Sequence, residues 1–273
     1  MSDVVVSGGF DDLRASDVRL IEEASRIGSV TLRVWPDELV ERTTGKPVKF
    51  PLEERLYVLG SLRYVSSVEV VDRSAGPDDF PLVFGEDCQT VVIPSTYASA
   101  RLRDYCGARR MSIYLVDPGE LQTFPEPKPC PDNPASSRKK VLVTGCFDWL
   151  HSGHVRFFEE VSALGELYVV VGHDANIRLL KGHGKPMFGQ NERCYFADAF
   201  RFVKQAMVSS GSGWLDAEPE IERLKPDAYV VNEDGDVPEK RAYCQARGIE
   251  YVVLKRLPKP GLPARTSTAL RGH

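Results

Sequence analysis

The chain has 273 residues, 42% of them hydrophobic and 27% charged, with a formal net charge of −4. That balance supports a packed core but supplies no basic excess to neutralise a polynucleotide backbone, which argues against nucleic acid as the main partner. Its six cysteines, Cys88, Cys106, Cys130, Cys146, Cys194 and Cys244, form no Cys-x-x-Cys pair, which argues against a zinc knuckle or a dithiol redox motif and for reduced thiols.

The chain opens on a strand-like Val4-Val5-Val6 with no basic leader before it, and its longest apolar run, Leu167–Val171, is far short of the ~20 residues of a membrane helix. A cytoplasmic protein without a membrane span is expected. Residues 4–28 then return at 141–165: the two segments align without a gap at an offset of 137, with twelve of 25 positions identical. Gly45-Lys46-Pro47 faces Gly184-Lys185-Pro186, Glu54-Arg55 faces Glu192-Arg193, and Tyr105-Cys106 faces Tyr243-Cys244. Register held over so long a stretch marks a tandem duplication. Between the copies, Phe124–Pro134 carries five prolines in eleven residues, a composition that disfavours helix and sheet and predicts an extended spacer. The reading is a first domain at 1–123, a linker at 124–137 and a second domain at 138–273.

In the second copy, Lys140–Thr144 is a continuous apolar strand and His154–Leu164 has helical spacing. Leu167–Gly172 is a second strand, Arg193–Gln205 a helix and Ala206–Ser209 a short strand. Glu218–Leu224 is helical, Ala228–Val231 a strand, Pro238–Arg247 a helix and Tyr251–Leu254 a strand. Continuous apolar strands between amphipathic helices predict parallel sheets covered on both faces, hence an α/β protein of two tandem Rossmann-like, doubly wound domains. Such sheets take ligands at the carboxyl ends of their strands.

At the end of the first strand of that copy stands Thr144-Gly-Cys-Phe-Asp-Trp-Leu-His-Ser-Gly-His154. Gly145 allows a tight turn, and Gly153 leaves the helix start open, where amides and the helix dipole favour a phosphate. His151 and His154 are three apart and share a helix face, so two imidazoles can donate to phosphate oxygens as charge develops on them. The plainer alternative is that one histidine caps the helix and the other packs.

Gly145, Phe147, Asp148, His151, Gly153 and His154 together resemble the G-x-F-D-x-x-H-x-G-H block of the nucleotidyltransferase superfamily, in its cytidylyltransferase-like branch. The resemblance implies that Lys181 binds phosphate and that Glu192-Arg193 with Arg201–Val203 matches the family's E-x-R … R-Y-V helix. It implies that Asn232–Asp236, with Asn232 and Asp234, contacts the nucleoside or a metal. It further implies that Arg265-Thr266-Ser267-Thr268 is a shortened form of the terminal phosphate signature. His151, His154, Lys181 and Arg265 are then the catalytic set. Gly145, Cys146, Phe147, Asp148, Gly153, Arg193, Asn232, Asp234, Thr266, Ser267 and Thr268 surround the nucleotide. Cys146 varies within the pattern, and no nucleophile role is expected of it.

The first copy carries Arg14-Ala-Ser-Asp17 in place of His151–His154 but keeps Phe10, Asp11, Arg55 and, opposite Lys181, Arg42. It reads as a silent copy. The layout is similar to that of ethanolamine-phosphate cytidylyltransferases, with the intact and degenerate copies exchanged. What the resemblance implies is transfer of CMP from CTP to a small phosphate or phosphonate acceptor with release of pyrophosphate. Magnesium would arrive with the nucleotide, and metal ligands on the chain are not identifiable. Two alternatives remain: a sugar-phosphate adenylyltransferase using ATP, and a non-catalytic nucleotide-binding module. Because single-copy relatives pair as homodimers, the two copies are expected to pair as an intramolecular pseudo-dimer.

Overall fold

The computed structural model describes residues 3–85 and 87–270, and of residues 268 and 269 the backbone alone. It divides into two compact units, Met1–Thr123 and Phe124–His273. The first unit runs β1 (Asp3–Gly8), α1 (Ala15–Ser25), β2 (Ser29–Val34), α2 (Asp37–Thr44), α3 (Leu52–Gly60), β3 (Ser67–Val70), α4 (Phe80–Phe84), β4 (Thr90–Pro94), α5 (Ala100–Arg109), β5 (Ser112–Val116) and α6 (Pro118–Leu121). The second runs β6 (Lys140–Gly145), α7 (Ser152–Leu164), β7 (Glu166–Val171), α8 (Asp174–Lys181), α9 (Gln190–Asp198), β8 (Val203–Val208), α10 (Glu218–Leu224), β9 (Ala228–Asn232), α11 (Pro238–Arg247), β10 (Glu250–Leu254) and α12 (Ser267–Leu270).

Each unit is a five-stranded parallel sheet, in the order β3-β2-β1-β4-β5 and β10-β9-β6-β7-β8. These are the same order, so the protein is a two-domain Rossmann-like α/β chain. In the second unit the chain steps outward from β6 to β7 and β8, then returns to the other side of β6 for β9 and β10. Right-handed crossovers therefore put α7–α9 on one face of the sheet and α10 and α11 on the other. The reversal opens a crevice above the carboxyl ends of β6 and β9.

Leu142, Tyr168, Val170, Met207, Tyr229 and Val231 pack with Ile221, Leu224 and Cys244 of α10 and α11. Strand side chains alternate in direction, and the residues between these, Val141, Val143, Val169, Val171 and Val230, are buried as well. Burial on both faces is why the strands read as unbroken apolar runs.

The structure departs from the sequence reading in four places. The helix expected at Arg193–Gln205 is α9, which ends at Asp198, and β8 begins at Val203 instead of Ala206. The carboxylate of Asp198 accepts the Ala206 N–H at 2.7 Å, and Val203 pairs with Leu167 of β7, so pairing with the sheet stops the helix. Asp174–Lys181, assigned no element from sequence, is helix α8, and Lys181 is its last residue. Because α2 and α8 align at 137, Thr44 and not Arg42 stands opposite Lys181; the Arg42 guanidinium instead donates to Ala75 O at 2.7 Å.

The fourth departure is the proline-rich segment. It has no helix or strand, as its composition dictates, but it is tied along the second unit. The Phe124 ring packs 5.4 Å from that of Tyr195, Gln205 donates to Pro129 O at 2.9 Å, and the Asn133 N–H donates to Arg223 O at 2.9 Å. No helix among the described residues is long and apolar enough to cross a membrane.

Candidate active site

The chain leaves β6 through a turn in which Phe147 takes a left-handed φ of 49°. That folds the Phe147 ring back over Gly145, where a Cβ would come within 2.7 Å of the ring. The ring then packs 5.3 Å from Phe158 and 5.6 Å from His154, fixing the start of α7. His151 is the N-cap of α7, its Nδ1 accepting the Gly153 N–H at 3.1 Å. An imidazole nitrogen that accepts carries no proton, so a neutral His151 bears its proton on Nε2 and is a donor there. The capping alternative is therefore true of His151, and it sets the tautomer.

The rings of His151 and His154 lie 4.1 Å apart; His151 is buried, and His154 is partly buried and faces the pocket. Among the described residues, His151 Nε2 and His154 Nδ1 are buried without a hydrogen-bond partner. Burial first, then the neighbouring His154, Arg256 and Arg265, push the pKa of His151 far below its usual value. His154 is pushed down to about 4 by burial and then Arg256, with Asp234 opposing and Lys181 assisting. Both rings are neutral near pH 7.

A pocket of about 440 Å³ opens over the carboxyl ends of β6 and β9. Of the residues expected from sequence it gathers Gly145, Cys146, Phe147, Asp148, Gly153 and His154 from the motif, with Lys181 from α8. From the far side it gathers Asn232, Asp234, Thr266 and Ser267. Segments far apart in the chain thus meet as the strand order requires. His151 lies beneath His154 and does not line the pocket. Arg265 lines a smaller adjoining hollow of about 140 Å³, with Phe157, Leu257 and Pro258. The side chain of Thr268 lies outside the described residues.

Two expected nucleotide contacts hold the loops instead. Arg193 is buried and lies outside the pocket lining; its guanidinium donates to Phe188 O, Cys146 O and Gly172 O at 2.6–2.9 Å and pairs with Asp174 at 2.7 Å. Asp148 lines the pocket, but its carboxylate accepts the Met187 and Phe188 N–H groups at 2.7 and 3.1 Å.

Three pocket cations were not anticipated from sequence: Lys185, Lys240 and Arg256. Arg256 stands two residues beyond the end of β10, pairs with Asp234 and donates to Arg265 O at 3.3 Å. Its place at a strand's carboxyl end was the available signal. The pocket thus carries four cationic side chains against Asp148, held by amides, and Asp234, held by Arg256; that balance suits a polyanion.

A family model described as cytidylyltransferase-like matches residues 142–253. The FAD synthase of Ferroglobus placidus is 34% identical over 120 residues, which cover 43% of this chain and 75% of that protein. The chain belongs to the cytidylyltransferase-like nucleotidyltransferase family. The bifunctional protein HldE of Geobacter sulfurreducens is 35% identical over 101 residues, 37% of this chain and 20% of that protein. A solved structure, the lipopolysaccharide core biosynthesis protein of Thermoplasma volcanium, is 27% identical with a TM-score of 0.38, covering 44% of this chain and 98% of its own. All three matches span less than half of this nucleotidyltransferase. Family members of this kind usually work with a divalent metal. Among the described residues no three His, Cys, Asp or Glu side chains converge as a metal site.

Proposed function

We propose that the second unit transfers a nucleotidyl group from a magnesium–nucleoside triphosphate to a small phosphate- or phosphonate-bearing acceptor. The observation that carries this reading is the histidine pair, 4.1 Å apart at a helix N-terminus, each ring with one buried, unpartnered nitrogen. An acceptor oxyanion forms a bond to the α-phosphorus while the bond to the β-phosphate bridging oxygen breaks, and the electron pair leaves with pyrophosphate. No proton moves, so neutral imidazole donors suffice and catalysis is positioning and charge stabilisation.

In this reading His154, with His151 beneath it, donates to the phosphates, and Lys181, Arg256 and Ser267 take charge from the leaving pyrophosphate. Arg265 acts through its carbonyl on Arg256 and from the adjoining hollow. Gly145, Cys146, Phe147, Gly153, Asn232, Asp234, Thr266 and Thr268 surround the nucleotide, while Asp148 and Arg193 hold the loops that carry them.

The sequence leans towards CTP, and the family's description supports that. The relatives named FAD synthase make a product containing an adenylyl group, which supports ATP; we place ATP first and CTP second. The first unit is a silent copy within a cytoplasmic chain.

The test is pyrophosphate release from ATP and CTP with a panel of phosphorylated acceptors, beside thermal melting with each magnesium–nucleotide. ATP should raise the melting temperature more and release pyrophosphate only with an acceptor. Greater stabilisation and turnover with CTP would install the CTP reading. Binding without release across the panel would favour a non-catalytic module.

A further inference from the structure

Lys240 stands in the first turn of α11 and lines the pocket beside Thr144, Val230, Val231 and Gly235. Its Nζ donates to Gly235 O at 3.2 Å and lies 5.9 Å from the centroid of the Tyr229 ring. An ammonium has three protons to donate, and among the described residues no other acceptor takes one and no carboxylate pairs with it. Burial lowers its pKa, against the pull of Asp216, Asp236 and Asp234. A half-buried, unpaired cation costs stability unless an anion joins it.

The first unit gives an independent measure of what this helix needs for folding alone. α5 and α11 align at an offset of 138, as do the strands on either side of them. Tyr105 and Tyr243 correspond, each under an arginine, Arg109 at 4.1 Å and Arg247 at 3.7 Å. Cys106 and Cys244 correspond, both buried. The residue opposite Lys240 is Leu102, packed in the core, and opposite Tyr229 is Val91. A leucine serves this position structurally. The ammonium occurs in the copy that also keeps the histidines.

We propose that Lys240 binds the anionic group of the acceptor and so sets which acceptors react. The inference rests on the nucleotidyl-transfer reading. Attack in line requires the incoming oxygen to lie opposite the leaving pyrophosphate. His154 is on α7 and Lys240 on α11, which cover opposite faces of the sheet, so the two stand across the crevice above β6 and β9. Pyrophosphate leaves on the α7 side, and the acceptor enters from the α11 side, over Thr144. The acceptor oxygen bonds to the α-phosphorus as the bond to the β-phosphate bridging oxygen breaks; Lys240 positions the acceptor and exchanges no proton with it.

The test uses the full chain, inorganic phosphate as probe and a non-hydrolysable magnesium–ATP or magnesium–CTP analogue, whichever binds more tightly. With the analogue saturating, Lys240→Met should weaken phosphate binding by roughly 10- to 100-fold, the range for a lost charge-assisted hydrogen bond. Lys240→Arg should recover part of it, and analogue affinity should stay within about twofold in both. Phosphate binding unchanged in Lys240→Met, or analogue affinity falling with it by the same factor, overturns the proposal. If neither analogue binds, the nucleotidyl reading fails, and phosphate titrated alone still reads Lys240: loss in Lys240→Met keeps it as an anion site, and no loss removes it.

Discussion

The two units carry one scaffold and two different helix starts. In the first, Arg55 donates to Phe50 O, Gly9 O and Trp35 O and pairs with Asp37. In the second, Arg193 does the same with Phe188 O, Cys146 O, Gly172 O and Asp174. Asp11 accepts the Lys49 and Phe50 amides as Asp148 accepts those of Met187 and Phe188. Phe10 and Phe147 share a φ of 49°. What differs is the cap. In the first unit the Arg14 N–H donates to the Asp17 carboxylate at 2.8 Å, and Arg14 and Lys49 are both paired to Asp12. His151 and His154 leave two buried nitrogens unpartnered. The aspartate and arginine of the motif therefore belong to the fold, which is why they persist where the histidines do not.

The largest effect that could break this parallel is loss of the buried arginines. Arg55→Met and Arg193→Met each strand several carbonyls and a carboxylate, and each should destabilise its own unit by about 3–5 kcal/mol. Calorimetry should show one transition lowered in each variant; a loss confined to one of the two would deny the equivalence.

Acid stability separates the copies next. The pKa of His154 in the folded protein, about 4, lies below the ordinary ~6.5. Folding favours its neutral form, so its contribution is complete above pH ~6.5 and is lost as pH falls towards 4. At 1.36 kcal/mol per unit this is about 3 kcal/mol, and His151 shifts in the same direction. Urea unfolding at pH 7, 5.5 and 4.5 should show a shallower loss in His154→Gln than in wild type; parallel curves would contradict the burial of a neutral ring.

A smaller contrast lies in the turn glycines. A Cβ at Gly145 would meet the Phe147 ring at 2.7 Å, whereas at Gly8 it would sit 3.4 Å from Phe10. Gly145→Ala should cost about 1–3 kcal/mol and Gly8→Ala less than about 1, read from melting temperatures. Equal costs would mean the two turns are not packed differently.

Much of this was legible in the sequence. Doubly buried strands such as Leu167–Val171 announce a parallel sheet, and the 137-residue offset announces the duplication. The α9–β8 boundary was not legible, because Phe196, Phe200 and Val203 are all buried and fit a continuing helix. Only long-range pairing with β7 ends it. In the site, the compact histidine block could be read locally. Lys240 could not, since it reaches the pocket because β9 sits beside β6; Arg256 was marked only by its place past the carboxyl end of a strand. Arg193 was visible but given the wrong partner, since a motif arginine for carbonyls and one for phosphate look alike in one dimension.

The central claim is that chemistry resides in the second copy while the first supplies scaffold only. Its most direct test is pyrophosphate release by two folded, full-length variants measured side by side. His154→Ala should lower turnover by about 10²–10³-fold, as losing a transition-state donor does, while Arg14→Ala with Asp17→Ala should stay within a few-fold of wild type. Near-normal turnover in His154→Ala, or a large loss in the Arg14/Asp17 variant with its fold intact, would contradict the account.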